Sequence, residues 1–287
     1  MAELDLAIPA ADGLPLNATL FEAADPTHAV IVSCATATPR GFYRAFAAWL
    51  AARGAAVLTY DYRGCGESAE DLRRSNARMR DWGALDFPGV VAWMRQRYPR
   101  LKLNTVGHSF GGHALLMAPN AGEIERSVLV ASQSGYWRLT SPPERLKVWA
   151  LINIVAPFFI RVNGYVSGSK VGLGEDFAKG IMLEWRGWCN APDYFYDDPT
   201  MEAILANGVR YTAPTLMLGL TDDVWATPAA IDWLAAHYTH APVERRTLDP
   251  RAFGLDSIGH MGFFRSRNGE ALWPLVAAYL GIMEEAA

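Results

Sequence analysis

Two rhythms of apolar and polar residues alternate along this chain. Leu4 to Ile8 and Leu16 to Phe21 read as two short strands joined across Asp12-Gly13, a hairpin turn signal. Ala29 to Cys34 (AVIVSC) is a continuous apolar run, as in a strand buried on both faces. Phe42, Phe46, Trp49 and Leu50 then recur at helical spacing. Ala55 to Tyr62, Leu101 to Val106, Ser127 to Ala131, Thr215 to Leu218 and Val243 to Leu248 repeat the strand pattern. Helical patterns fall between them: one around Trp82 to Met94, interrupted by Pro88, one from Phe110 to Ala118, and a closing one from Ala271 to Met283. Thr227-Pro228 is an N-cap followed by proline at the first helical position. Strands alternating with helices predict an α/β class: a mostly parallel central sheet flanked by helices, connected by right-handed crossovers.

The alternation stops between the strand at Ser127 to Ala131 and Thr215. Twelve of the chain's 33 aromatic residues fall between positions 135 and 210, Tyr136 and Trp137 first and Phe195 and Tyr196 last. A structureless loop of this length does not suit a compact domain. The pattern therefore predicts a core made of residues 1–134 and 211–287 with an inserted, largely helical, aromatic-rich cap over 135–210. Most of the cap aromatics are expected to form its own core. The apolar run from Val148 to Ile160 is interrupted by Asn153 and Pro157. It falls short of the ~20 residues a membrane span needs, so a cap or buried helix is expected, with no membrane span.

Composition narrows the function. The chain has 287 residues, 51% hydrophobic and 20% charged, which is an ordinary globular balance. Its net charge is −4, and no run of Lys or Arg forms a stripe, so nucleic acid is not an expected partner. Cys34, Cys65 and Cys189 are too scattered for a disulfide framework or a zinc site and fit a reducing compartment. The first residues hold acids and no basic, then apolar, leader pattern. The expectation is a cytoplasmic protein with no metal and no organic cofactor. Nothing in the sequence decides its oligomeric state.

The chemistry centres on Gly107-His108-Ser109-Phe110-Gly111, a G-x-S-x-G pattern between an apolar strand and a helix. A serine on such a sharp turn sits in strained backbone, so the positions two before and two after must lack bulk. The hydroxyl is then presented at the start of a helix. It needs a base, and the base needs a carboxylate to fix its tautomer. Of six histidines, His260 in the loop IGHMGF between the last strand and the closing helix is best placed. His108 is expected to point away from the hydroxyl and His113 to lie along the following helix. For the acid, the loop GLTDDVWATP offers Asp222 and Asp223. Asp222 is preferred because it lies three residues beyond Gly219 at the expected strand exit; Asp249 and Asp256 are weaker rivals. A tetrahedral oxyanion needs donors, expected from the N–H of Phe110 and the N–H of Thr36, with Ala35 next. Cys34 in the same loop reads as a packing residue, because nothing nearby lowers its pKa.

The stretch AAVLTYDYRGCGES, with its Asp-x-Arg-Gly-x-Gly-x-Ser ending, and the elbow VGHSFGG resemble the alpha/beta-hydrolase superfamily. With GFYRAFAAWLAARG and ASQSGYWRL, the chain resembles a little-characterised bacterial subfamily of hydrolases. The relatives of that subfamily are serine aminopeptidase and monoglyceride-lipase type enzymes. The resemblance covers essentially the whole chain and implies that fold and a Ser–Asp–His catalytic triad. One departure is Cys34-Ala35, where such relatives carry His-Gly at the oxyanion loop. The expected function is a serine hydrolase, a carboxylesterase acting on a small-molecule ester with an apolar acyl or alcohol part. Its activity should fall on the acid side as the imidazole takes up a proton. Three alternatives remain at this stage. An aminopeptidase or amidase would use Glu175, Asp176 and Glu184 to hold a substrate ammonium. An acyltransferase would use the same triad, and a catalytically inactive small-molecule binding protein would keep only the fold.

Overall fold

The computed structural model describes residues 1–69 and 71–284. Its main sheet has eight strands. β1 (Ala2–Pro9) and β2 (Pro15–Glu22) form the expected hairpin, with Gly13 at φ +85° in the turn. β3 (His28–Ser33), β4 (Ala55–Tyr60), β5 (Lys102–His108) and β6 (Arg126–Val130) follow. β7 (Tyr165–Val166) and β8 (Phe177–Ala178) pair antiparallel as a separate two-stranded ladder. β9 (Thr215–Leu220) and β10 (Val243–Leu248) complete the main sheet. Its order is β1-β2-β4-β3-β5-β6-β9-β10, antiparallel at β1/β2 and β2/β4 and parallel elsewhere. β4 and β9 are buried throughout, which is why their sequences are continuously apolar rather than alternating.

Several element ends differ from the sequence pattern for local reasons. The expected helix from Phe110 to Ala118 is a tight 3₁₀ turn, Ser109–Gly112, followed by a single α-turn, Ala114–Met117. Pro119 forces Ala118 into extended backbone (ψ 128°), so the helix stops there. Before Pro88 the helix Phe87–Arg97 is preceded by a π-turn at Trp82–Asp86, which frees the backbone that a proline cannot bond. Thr227 caps Pro228–His237, its hydroxyl accepting from Ala230 N–H.

Between β6 and β9 the chain is mostly helical, as expected, but it also contains the β7/β8 ladder, whose two-residue strands leave no periodic signal. The apolar run lies in a helix over Pro142–Asn163 with a π-turn at Leu151–Val155 ahead of Pro157. This 22-residue helix is longer than the run of apolar residues and meets the length and apolarity of a membrane span. A single helix of that kind is weak support for one. Of the two forms expected, a cap helix or a buried one, it is not the buried one: Leu146, Ile154, Phe158 and Val162 are exposed.

The Asp-x-Arg-Gly-x-Gly-x-Ser stretch after β4 builds a scaffold under the sheet's C-terminal edge. Asp61 takes Arg40 Nη1 at 2.6 Å and Arg40 N–H at 2.7 Å, and Ser68 Oγ donates to the Asp61 carbonyl. Arg63 donates from Nε and its backbone N–H to the two oxygens of fully buried Asp86 (2.6 and 2.9 Å), and its remaining nitrogens grip Asp12. Burial is the largest influence on Asp86 and pushes its carboxyl up to about 7 against the pull of Arg63. Removing one partner of a buried pair strands the other, at about 3–5 kcal/mol. Arg63→Met is therefore expected to lower unfolding free energy by about that amount in urea titrations. An acid raised in the folded state loses stability as pH rises through its folded pKa. The deficit should thus be larger at pH 8, where the native pair is ionised, than at pH 5, where Asp86 is protonated in both proteins.

Candidate active site

At the end of β5 the backbone turns through Ser109, which has φ +51°. That left-handed conformation is costly for a residue with a side chain and persists only where neighbours enforce it. Here close packing does so. A Cβ on Gly107 would come within 2.7 Å of the Gly111 carbonyl carbon, and one on Gly111 within 2.3 Å of the Ser33 carbonyl oxygen. Only glycine at both positions lets the turn sit against β3, the physical content of the G-x-S-x-G spacing.

His260, at the second position of the short helix Gly259–Gly262, points its Nε2 at Ser109 Oγ, 3.1 Å away. Its Nδ1 lies 2.7 Å from Asp223 Oδ2. The other Asp223 oxygen accepts from Trp225 N–H (2.8 Å) and Ala226 N–H (3.0 Å). Burial raises the Asp223 carboxyl, but the imidazole and those backbone donors outweigh it and hold it below the usual carboxylate range. Asp223 is therefore ionised at neutral pH. The imidazole N–H facing it is fixed on Nδ1, which leaves the Nε2 lone pair for the serine proton.

The preferred sequence candidate, Asp222, is not the carboxylate that meets His260. Its Oδ2 instead accepts Ile258 N–H at 2.8 Å, pinning the loop that carries His260. The strand explains the displacement. β9 runs to Leu220, one residue past Gly219, the exit from which Asp222 was counted, so the carboxylate three residues beyond the true end is Asp223. Asp249 caps the turn Pro250–Phe253 by accepting Arg251 N–H.

Ser109, His260, Phe110 and Thr36 line one cavity of about 410 Å³. Ala35 N–H, the second choice as oxyanion donor, is consumed by Tyr43 Oη at 2.9 Å. Among the described residues, Thr36 N–H donates to no protein acceptor. Phe42, Phe177, Trp185, Tyr194 and Trp225 give the cavity an aromatic wall, three of them from the segment 135–210. Among the described residues no Asp or Glu lines it, and Arg265 is the one fully charged lining residue. The acids considered for holding an ammonium are engaged elsewhere or lie outside it: Glu184 pairs with Arg80, and Asp176 accepts from Ser169.

His108 does point away from the hydroxyl, and His113 Nε2 faces the Gln133 carbonyl at 2.8 Å. Burial pulls His108 down to about 3 and His113 to about 4. Burial also pushes the Cys34 thiol well above its ordinary value, in keeping with a packing role. Among the described residues no group of three His, Cys, Asp or Glu side chains is arranged to hold a metal. Two residues that sequence reading did not bring to the site are Tyr43 and Asp223's backbone anchor at Trp225. Tyr43 lies in the stretch GFYRAFAAWLAARG and Trp225 in the loop GLTDDVWATP, but no spacing rule ties either to the serine.

A mostly parallel eight-stranded sheet with a strand–turn–helix serine at its C-terminal edge is the alpha/beta-hydrolase fold. The chain belongs to the alpha/beta hydrolase family, whose sequence profile matches residues 29–272. Similar solved structures include an alpha/beta hydrolase of Penicillium sp. sh18 (TM-score 0.64, 18% identity, 98% of both chains covered). An esterase of Pyrococcus furiosus aligns at TM-score 0.63 and 17% identity over 98% of this chain and 90% of that one. An esterase of Exiguobacterium antarcticum aligns at TM-score 0.63 and 14% identity over 97% and 100%. A search of curated protein sequences gave no match. The family makes this a hydrolase, and the solved structures share its fold.

Proposed function

We propose that this chain is a serine hydrolase that cleaves carboxylic esters with an apolar acyl or alcohol part through an acyl-enzyme intermediate. The observation that carries the reading is the continuous contact Ser109 Oγ–His260 Nε2 and His260 Nδ1–Asp223. Ser109 Oγ attacks the ester carbonyl as His260 Nε2 takes its proton, and the ionised Asp223 stabilises the imidazolium. The oxyanion accepts hydrogen bonds from Phe110 N–H and Thr36 N–H. His260 then gives the proton to the leaving alcohol, and the acyl group stays on Ser109. A water deprotonated by His260 attacks the acyl carbonyl and releases the carboxylic acid, restoring the serine. These steps call on neither a metal nor an organic cofactor.

The segment 135–210 acts in this reading as a cap. Its Phe177, Trp185 and Tyr194 wall the cavity, favour an apolar substrate and exclude water, which strengthens each electrostatic contact inside. The free, buried state of all three cysteines supports a cytoplasmic location.

The absence of lining carboxylates among the described residues supports an ester over an aminoacyl substrate, since a substrate ammonium would find no counter-charge among them. Turnover of p-nitrophenyl esters from acetate to decanoate is to be compared with aminoacyl p-nitroanilides. Hydrolysis of the esters with little or none of the anilides is expected. Anilide turnover equal to or above that of the esters would replace the ester reading with an aminopeptidase one.

A further inference from the structure

We propose that His108 and Tyr43 are positioning residues that tie the oxyanion loop to the loop of the catalytic base through one buried chain of hydrogen bonds. The proposal rests on the serine-hydrolase reading above.

The direction of each bond follows from its partners. His108 Nε2 lies 2.8 Å from the His260 carbonyl oxygen, which can only accept, so Nε2 carries the proton. Nδ1 of the neutral ring then holds a lone pair and accepts from Tyr43 Oη at 2.8 Å. The Tyr43 oxygen in turn accepts Ala35 N–H at 2.9 Å. The chain therefore runs one way, from the Ala35 amide through the tyrosine hydroxyl and the imidazole to the His260 carbonyl. Both rings are completely buried, and both pack against Phe264, with centroids 5.0 and 4.9 Å away.

Each end of the chain does something the site needs. At one end, Tyr43 draws the Ala35 N–H out of the cavity and leaves the next amide, Thr36, to face the substrate. A loop carrying Ala37 at φ +54° has alternatives to this arrangement, and the tyrosine selects among them. At the other end, the base is carried on backbone flanked by Gly259 (φ +59°) and Gly262, which restrain it little. Asp222 holds the Ile258 N–H and His108 holds the His260 carbonyl, so the base is fixed by backbone on both sides while Asp223 orients its ring. His108 does not compete for the serine proton, because both its nitrogens are occupied. Its place directly before Ser109 gives nucleophile, base and oxyanion donor a common reference. A misplacement of about 1 Å at such a site costs about 100-fold in rate.

The test is steady-state hydrolysis of a p-nitrophenyl ester by the full chain carrying Tyr43→Phe, His108→Leu, His108→Gln, or Tyr43→Phe with His108→Leu. Thermal melts and circular dichroism establish that each is folded. Tyr43→Phe and His108→Leu are expected to lower kcat about 10- to 100-fold with little change in KM. His108→Gln, whose amide offers one donor and one acceptor, should recover most of the loss. The double variant should fall no further than the worse single one, because either change breaks the same chain. Wild-type kcat in folded Tyr43→Phe or in folded His108→Leu, additive losses in the double variant, or a loss confined to KM would overturn the proposal. Should His108→Leu not fold, the two size-conserving variants decide the question. If wild type neither hydrolyses esters nor takes up a fluorophosphonate on Ser109, the hydrolase reading fails. If wild type does both and the variants are unaffected, only this inference fails.

Discussion

Ser109→Ala should lower ester kcat by at least about 10⁴-fold while leaving the fold and KM nearly intact. The size of the effect follows from what the hydroxyl does. In the proposed mechanism it alone forms the covalent bond to the acyl group, and among the described residues no other hydroxyl or thiol hydrogen-bonds to His260. Cys34, in the oxyanion loop, is completely buried, and its sulfur is 3.2 Å from the Tyr60 carbonyl oxygen, so it remains a thiol. The substitution also relieves no clash, since alanine at φ +51° is about as strained as serine. Residual turnover would come from oxyanion donors and binding alone. Kinetics at saturating ester, with pure variant free of wild-type carry-over, check the figure; a loss of less than about 10-fold would contradict the assigned role.

The second large effect separates two adjacent aspartates. Asp223→Asn should cost about 10⁴-fold in kcat, because an amide facing His260 Nδ1 presents its NH₂ group or a weaker acceptor and lets the ring adopt the wrong tautomer. Asp222→Asn keeps an oxygen for Ile258 N–H and should stay within about 10-fold of wild type. Measuring kcat for the two variants side by side tests the assignment, and the reverse ranking would restore Asp222 as the triad acid. Asp223→Asn also removes a carboxylate held below its ordinary range. Its stabilising contribution is present above the unfolded pKa and is lost only as pH falls through the folded one, so the mutational stability deficit should vanish in strong acid.

How far the sequence was legible depended on how local each requirement is. The elbow could be read because two glycines and a strand–helix junction are enforced within five residues, and the structure shows the backbone contacts that enforce them. The parallel strands could be read because burial on both faces leaves unbroken apolar runs. His260 was legible from its position after the last strand. Asp223 was not, because the choice between neighbouring acids turns on whether the strand exit falls at Gly219 or at Leu220, and strand ends carry the weakest signal.

The segment 135–210 stood out as an interruption of pattern, but its internal ladder was not legible, since two-residue strands have no period. The exposed helix over Pro142–Asn163 misled in the opposite sense: its composition is that of a buried element, yet only 17% of its most apolar window is buried. Tyr43 could not have been found at all, because its partners lie 8 and 65 residues away and belong to no spacing rule.

The central claim is that Ser109 is a nucleophile activated by an imidazole that a carboxylate orients. The most direct measurement is mass spectrometry of the intact chain and its tryptic peptides after exposure to a small alkyl fluorophosphonate. A single phosphonyl adduct confined to the Ser109 peptide, formed fast in wild type and strongly slowed in His260→Ala, is the expected result. No adduct, or one on another residue at a rate indifferent to His260, would leave the fold standing without this chemistry.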